Sequence, residues 1–584
     1  MLHLRLLFTK DMNSHIDIHK PTMKRAEILI LLSLFFGYAQ AQVLSDPNEP
    51  SDAEQIEADD GIGARDHGSD NAFLNRYKQG DIELDQLSLS INSKIRRKLI
   101  LSLESSGNIG SGDFAPFWFT SNRQGLSPTN SSGAMLKLGM DGGMILPSNF
   151  KFNYGMEVAV AANYQSGFYL HQIYVEAGYK WLDLSLGAKE RWGELVNPAL
   201  SSGSLTWSGN SRPIPQIRLE VPEFTRLSIL GHLVSLKGHI AYGWYQDSKW
   251  RAERAAIYST PAQYTDRILH HSKSFFIRIG DSERFPLEFT GGIEMYARFG
   301  GVAHNIFPAP DGTLYETHSF PSDIKAYLQA FLPVNKPGEQ SKENGNSYGS
   351  WHASLELTME KWKYRLYYEH FFEDHSSMLG IENKADMNGQ KSYISYGFKR
   401  NWLDGLFGIE VTAPDNLPFK NIVFEVLNTR GQCGSVCNTP PGKVISEGVD
   451  GCDGMYDHSS YKGTSNYGYY SGSPILISPI YNKDGNLGPI SNRALMFHLG
   501  IDGMIASRIS YRLLMSHASH WGTYYTPLQN REETTSILIE GFYHFKGNHG
   551  WRAGLSFGGD FGSNTILGNN KGIMLTVSRN WRIL

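Results

Sequence analysis

Several things that would place a chain in a common class are scarce here. Only three cysteines occur in 584 residues, too few for a disulfide scaffold. No apolar run reaches the roughly 20 residues that a membrane-crossing helix needs. With a mean hydropathy of −0.34, a bundle of spanning helices is excluded. Charged residues make up 19%, below the usual level of about 25%. The net charge is −4, so the basic excess that nucleic-acid binding requires is missing, and no nucleic-acid partner is expected. Glycine (60 residues) and the aromatics (30 Tyr, 30 Phe, 12 Trp) are plentiful instead. A chain rich in aromatics and poor in charge is not a disordered one. Its length admits three or four domains of about 150 residues, or one large β domain.

The N-terminal region is expected to set the compartment. Met23-Lys24-Arg25 is a short basic start, Ile28–Phe36 an apolar core and Ala39-Gln40-Ala41 a small-x-small cleavage site. Together they predict a signal peptide over residues 23–41, cut after Ala41. Residues 1–22 carry five charges of mixed sign and are expected to be a mis-annotated extension ahead of a start at Met23. No Cys follows the cleavage site, so no lipid anchor is expected. Residues 42–95 begin with Asp46, Glu49, Asp52, Glu54, Glu57, Asp59 and Asp60 before Arg65, the first basic residue after the cut. Such a stretch buries too little apolar surface to offset its ordering entropy. It is predicted to be an acidic periplasmic arm, with at most one short helix in Leu74–Leu99, broken at Gly80.

From about residue 96 to the end the chain alternates. In Phe152–Tyr164 one parity is Phe152, Tyr154, Met156, Val158, Val160, Ala162 and Tyr164; the other is Asn153, Gly155, Glu157, Ala159, Ala161 and Asn163. Leu287–Phe299 behaves the same way, as do shorter runs such as Leu182–Ala188, Ile509–Met515 and Trp551–Phe561. Period 2 places the two sets on opposite faces of a sheet. The runs are long for soluble strands and match the roughly 9–11 residues of membrane strands. Aromatics gather at their ends, as in interfacial girdles. Tight links at Tyr179–Trp181, Ala506–Arg508 and Trp402–Gly405 contrast with long ones at Pro308–Asp323, Pro333–Ser350 and Leu427–Pro474. An all-β, transmembrane antiparallel barrel over residues 96–584 is predicted, with 14–18 strands and long extracellular loops. Glu157, Glu176, Lys189, Arg278, Glu288, Glu294, Arg298, Glu356, Arg365, Glu369, Glu425, Arg512, Glu540, Arg552 and Asp560 share the polar parity and would line a polar lumen.

Separated blocks carry a family resemblance. They are Pro116–Pro128 (PFWFTSNRQGLSP), Gly187–Ile217 with its Ser208–Ile217 run (SGNSRPIPQI), Phe372-Glu373-Asp374, Asp404–Glu410 and Gly522-Thr523-Tyr524. In this order they resemble the Wzi-like capsule assembly family of outer-membrane barrels. The resemblance implies a barrel of about 18 strands that helps attach or organise surface polysaccharide and has no chemistry of its own. Its implied partners are capsular or exopolysaccharide, outer-membrane lipid and polysaccharide export machinery. The acidic arm is not part of that pattern, and the chain ends in Leu584 rather than in the Phe common among such barrels.

Pro213 and Pro215 bar ladder bonding and favour an extended, bulged course. That course would bring Asn210, Arg212 and Gln216 into the lumen, flanked by Trp192 and Trp207. With Arg123 and Arg191 these residues form the candidate set for polysaccharide, because aromatic faces and amide or guanidinium donors suit sugar rings and hydroxyls. They could equally just pack the interior. An open porin or substrate-specific channel is the alternative that a charged lumen suggests. A membrane-embedded hydrolase built on His517, Ser519 and His520 is disfavoured: on a strand His520 points away from the other two. His370, Glu373, Asp374 and His375, the pair His270-His271, and Asp450, Asp453 and Asp457 lack a convincing ligand spacing. No catalytic set, metal or cofactor is therefore expected. Cys433, Cys437 and Cys452 share the longest loop, where two of them could form a disulfide.

Overall fold

The computed structural model describes residues 96–583, apart from 147–148, 229–231, 258–261, 283, 306–316, 333–344, 374–380, 386–390, 397–402, 416, 432–453, 459 and 547–549. The extension, leader and arm expected over residues 1–95 lie outside the described residues, as do Cys433, Cys437 and Cys452.

Eighteen long strands form the wall. They are β1 (Arg96–Ser111), β2 (Gly133–Ile145), β3 (Phe150–Ala162), β4 (Phe168–Tyr179), β5 (Leu182–Ala188) and β6 (Gln216–Arg226). Next come β7 (Val234–Trp244), β8 (Leu269–Ile279), β9 (Leu287–Phe299), β10 (Asn346–Met359), β11 (Trp362–Glu373) and β12 (Gly405–Thr412). The last six are β13 (Asn421–Asn428), β14 (Ala494–Ala506), β15 (Ile509–Gly522), β16 (Pro527–His544), β17 (Trp551–Gly562) and β18 (Lys571–Arg582). Each pairs antiparallel with its chain neighbours, and β18 returns to β1 with Leu103 opposite Arg579. The sheet is a closed 18-stranded barrel, so no edge strand is left.

The two parities separate as the alternation requires. On β17 Leu555, Phe557 and Phe561 are exposed outward, while Ser556 and Asp560 are buried inside. On β3 Phe152, Met156 and Val160 face out. Inside lie Glu104, Glu176, Arg218, Glu288, Glu294, Arg298, Glu369, Glu410, Glu425, Arg512 and Glu540, all buried. An apolar exterior around a polar interior is the arrangement of a membrane barrel, not of a soluble sandwich. Aromatic rings ring one end: Phe150 lies 4.7 Å from Tyr179, Tyr543 5.1 Å from Phe545, and Trp551 6.5 Å from Trp581. Glycine serves the interior packing. A Cβ on Gly155 would meet the Tyr174 ring at 2.5 Å, and one on Gly408 would meet the Tyr367 ring at 2.0 Å. Each ring lies flat across a neighbouring strand because nothing stands beneath it.

Links at the aromatic-ringed end are short, as at residues 180–181, 360–361 and 507–508. The other end carries residues 112–132, 189–215, 245–268, 300–345, 374–404 and 429–493. Two sequence-based expectations are corrected here. Gly405 does not close a tight short-end turn, as expected of Trp402–Gly405: it opens β12 at the long-link end, where its φ of 151° and the backbone 2.4 Å from its Cβ position require glycine, and Trp402 lies outside the described residues. Pro308–Asp323 and Pro333–Ser350 are not separate links. Both fall in the β9–β10 connection, around a helix (Ile324–Phe331), and Ser350 is already within β10. Arg96–Leu99, the end of the stretch in which a short helix was expected, is strand paired with Gly142–Ile145, and the rest of that stretch lies outside the described residues.

Candidate functional site

Residues 189–215 leave β5 and rejoin the wall at its neighbour β6, so a short hairpin would have sufficed. Instead the segment runs across the barrel. Nine strands away, on the opposite wall, His498 of β14 meets the Leu200 carbonyl through Nε2 at 2.7 Å. The Arg512 guanidinium on β15 donates to the Ala199 carbonyl at 3.0 Å. Three lumen carboxylates hold what lies between. Glu410 accepts from Asn197 Nδ2 (2.7 Å). Glu425 accepts from Ser201 Oγ and the Ser202 amide, both at 2.6 Å. Glu369 accepts from Ser204 Oγ (2.8 Å) and the amides of Leu205 (2.9 Å) and Thr206 (3.1 Å). A chain without regular structure thus satisfies its buried amides on side chains of the wall. The small residues of Leu200–Leu205 let it pass close enough to do so.

Two further segments close on it. In Pro116–Pro128, Phe117–Thr120 makes one helical turn whose first amide donates to Asp560 at 3.0 Å. Arg123 pairs with Glu540 at 2.9 Å. In the stretch 454–493, Arg298 of β9 donates to the carbonyls of Tyr461 and Gly463, each at 2.7 Å. The three segments bond to one another. The Gln124 amide donates to the Gly209 carbonyl (2.7 Å), the Asn122 amide to Asn210 Oδ1 (3.0 Å), and the Ser208 amide to the Ser471 carbonyl (2.9 Å). A buried aromatic series runs through them: Trp207 stacks on Tyr296 at 5.4 Å, Tyr296 on Tyr348 at 6.0 Å, and Phe371 meets Tyr456 at 5.5 Å.

The structure gathers the candidate residues in this plug, and most are engaged internally. Asn210 spends its amide on the Asn122 N–H and the Tyr470 carbonyl. Trp207 Nε1 donates to the Arg191 carbonyl at 3.1 Å, and the Arg191 guanidinium donates to Ser185 Oγ at 2.8 Å. Trp192 packs over Gly209, where φ is 81° and a Cβ would meet the indole at 2.7 Å. Gln216 opens β6 and is buried. Arg212 lies between two rings, 4.2 Å from that of Tyr169 and 3.8 Å from that of Tyr467, and donates to Gln165 Oε1 at 2.6 Å. Burial lowers the Arg212 pKa, opposed by Tyr169, Tyr467 and Tyr469; a guanidinium remains charged there.

The hydrolase candidates do not assemble. His517 faces outward and bonds to Thr535 Oγ1 at 3.0 Å, Ser519 donates to Glu533 at 3.4 Å, and His520 is buried on the other parity. Of the possible ligands at the end of β11, Asp374 and His375 lie outside the described residues, and His370 Nδ1 bonds to the Asp404 carbonyl at 2.8 Å. His270 packs among Trp207, Tyr245 and Tyr296, whereas His271 bonds to the Ala241 carbonyl at 2.9 Å. Asp450 and Asp453 lie outside the described residues, and Asp457 pairs with Lys462 at 3.3 Å. The sequence reading missed the stretch 454–493 as part of the lumen. Its run of Tyr461, Tyr469, Tyr470 and Tyr481 among glycines and serines was the available signal.

No family model matches the chain, and no curated protein matches it. Among solved structures it is similar to Wzi of Escherichia coli, described as a carbohydrate-binding β-barrel of group 1 capsule assembly. Identity is 10% over 82% of this chain and 84% of that one, with a TM-score of 0.46. It is also similar to OprD of Pseudomonas aeruginosa, at 9% identity over 84% and 96% of the two chains and a TM-score of 0.38. A third similarity is to an anion-selective porin from Comamonas acidovorans, at 8% identity over 84% and 100% and a TM-score of 0.34.

Proposed function

We propose that this chain is a non-catalytic outer-membrane barrel that binds surface or capsular polysaccharide at its long-loop end and assists its assembly or attachment. One observation carries the reading. Pro116–Pro128 and Gly187–Ile217, the two longest blocks of the Wzi-like resemblance, meet inside the lumen through the Gln124–Gly209 and Asn122–Asn210 bonds. Residues of the stretch 454–493, more than 230 positions beyond either block, complete the same plug. A filled lumen suits a dock for a long polymer better than a diffusion pore. The long-loop end also exposes sugar-compatible groups: Tyr525 is 72% exposed, and Arg430 sits 5.4 Å over the Trp521 ring. Arg212, held between Tyr169 and Tyr467, and Trp192, packed over Gly209, are the candidate contacts from within the plug. The short-link end would then face the periplasm.

The test pairs two measurements on the purified barrel. Binding to capsular polysaccharide is followed by calorimetry, and conductance is followed in planar bilayers. The reading expects saturable polysaccharide binding with little current. Large, open-pore current without polysaccharide binding replaces it with the porin alternative.

A further inference from the structure

We infer that Glu157, His171 and Glu190 form a binding site for a divalent transition-metal ion of the zinc type. His171 is placed by a β-bulge. The β3–β4 register passes from Val158 opposite Leu170 to Glu157 opposite Gln172, leaving His171 as the extra residue. Bulges re-aim side chains, and here two consecutive residues turn inward. His171 is fully covered, with its Nε2 facing two carboxylates: Glu190 Oε1 at 2.8 Å and Glu157 Oε1 at 3.8 Å. Gln172 accepts the Glu190 amide at 2.9 Å and so fixes the backbone that carries the second carboxylate.

A histidine–glutamate hydrogen bond alone would explain Glu190 but not Glu157. Glu157 Oε1 is buried without a hydrogen-bond partner among the described residues, and such a group carries a desolvation cost unless something pairs with it. Its other oxygen is held by Lys137 Nζ at 3.1 Å. Lys137 thereby leaves Oε1 directed at the imidazole as a single-oxygen ligand. The three donor atoms all lie within 4.8 Å of one another. Around a tetrahedral ion with bonds of about 2.0–2.2 Å, ligand atoms stand about 3.3 Å apart, so small side-chain adjustments seat the ion. Three protein ligands leave a fourth position for water. The imidazole favours zinc-type ions over magnesium or calcium. The bound ion would join β3, β4 and the entry of the segment 189–215, two residues beyond β5. It would act as a removable staple on the plug.

The full barrel, refolded in detergent and stripped with chelator, is dialysed against zinc, and folding is verified by heat-modifiable gel migration. Wild type is expected to retain one zinc more than H171A and to rise in Tm on zinc addition. E157Q and E190Q, which keep side-chain shape, are expected to bind at least tenfold more weakly. Cobalt in place of zinc should give a visible absorption band that H171A lacks. If H171A fails to fold, the two Gln variants decide. Equal zinc uptake by wild type and the variants, no uptake by wild type, or calcium binding as tight as zinc would each overturn the inference.

Discussion

At the scale of the residue, the plug depends on carboxylates that would be costly to bury alone. Glu369 shows the logic: its charge is balanced by two backbone amides and a hydroxyl, each such bond to a charged group contributing about 1.5–3 kcal/mol. Glu369→Gln keeps the volume but offers one acceptor oxygen in place of two and adds an NH₂ where only donors converge. Thermal unfolding should fall by an amount equivalent to about 2–4 kcal/mol, with strand content by circular dichroism unchanged. An unaltered Tm would mean that the segment 189–215 is not held from this side. Arg212 supports a second test. Its planar guanidinium sits between Tyr169 and Tyr467, a geometry that a compact ammonium cannot occupy. Arg212→Lys should therefore behave almost like Arg212→Ala, each losing about 0.5–2 kcal/mol and each speeding proteolytic nicking near Tyr467. Rescue by lysine would reduce the contact to simple charge.

At the scale of the element, the two faces of a strand predict opposite tolerances. Phe557 is exposed at mid-strand in β17, opposite Ile539 on one side and Ile573 on the other. Arginine there would stand in lipid at a cost of about 2–4 kcal/mol, visible as reduced folding yield into vesicles. If Phe557→Arg refolds as well as wild type, the apolar belt lies elsewhere. This face rule is also why the wall was legible in the sequence. Alternation is a local signal, and the mutual orientation of Leu555, Ser556 and Phe557 follows from three adjacent residues. The plug has no such signal. Ser204 meets Glu369 across 165 positions and Leu200 meets His498 across 298; neither pairing has a period. Pro213 and Pro215 favour a course that brings Arg212 and Asn210 inward, but nothing local to them marks Asn122 and Tyr470 as the partners of Asn210. His171 was invisible for the converse reason: its bulge adds one residue and moves the alternation that would have marked its face.

At the scale of the whole molecule, wall and plug are separable, and that permits one decisive manipulation. Wall hydrogen bonds pass from strand to strand without using the inserted segment, and Gly187 of β5 already pairs with Gln216 of β6. A hairpin of about four residues can therefore replace the crossing stretch 191–213 without altering the register. Such a barrel should still fold, though with lower Tm, because the segment's buried Leu200, Leu205 and Trp207 are lost. Its lumen would be changed in a specific way. Glu369 and Glu425 would lose the amides and hydroxyls of the segment that now cover them and face water as a patch of negative charge on one wall, whereas Glu410 would keep Arg365 beside it. Arg512, with Glu540 still beside it, would compensate little. Rings or patches of carboxylates select cations. The shortened barrel should thus pass more current than wild type, and its reversal potential in a KCl gradient should lie on the cation side. In that shortened barrel, Glu369→Gln combined with Glu425→Gln should bring the potential back toward zero while current persists. A current that stays at the wild-type level would mean that the segments 112–132 and 454–493 close the lumen unaided. An anion-selective current would show that Arg298 and Arg512, not Glu369 and Glu425, govern the exposed interior.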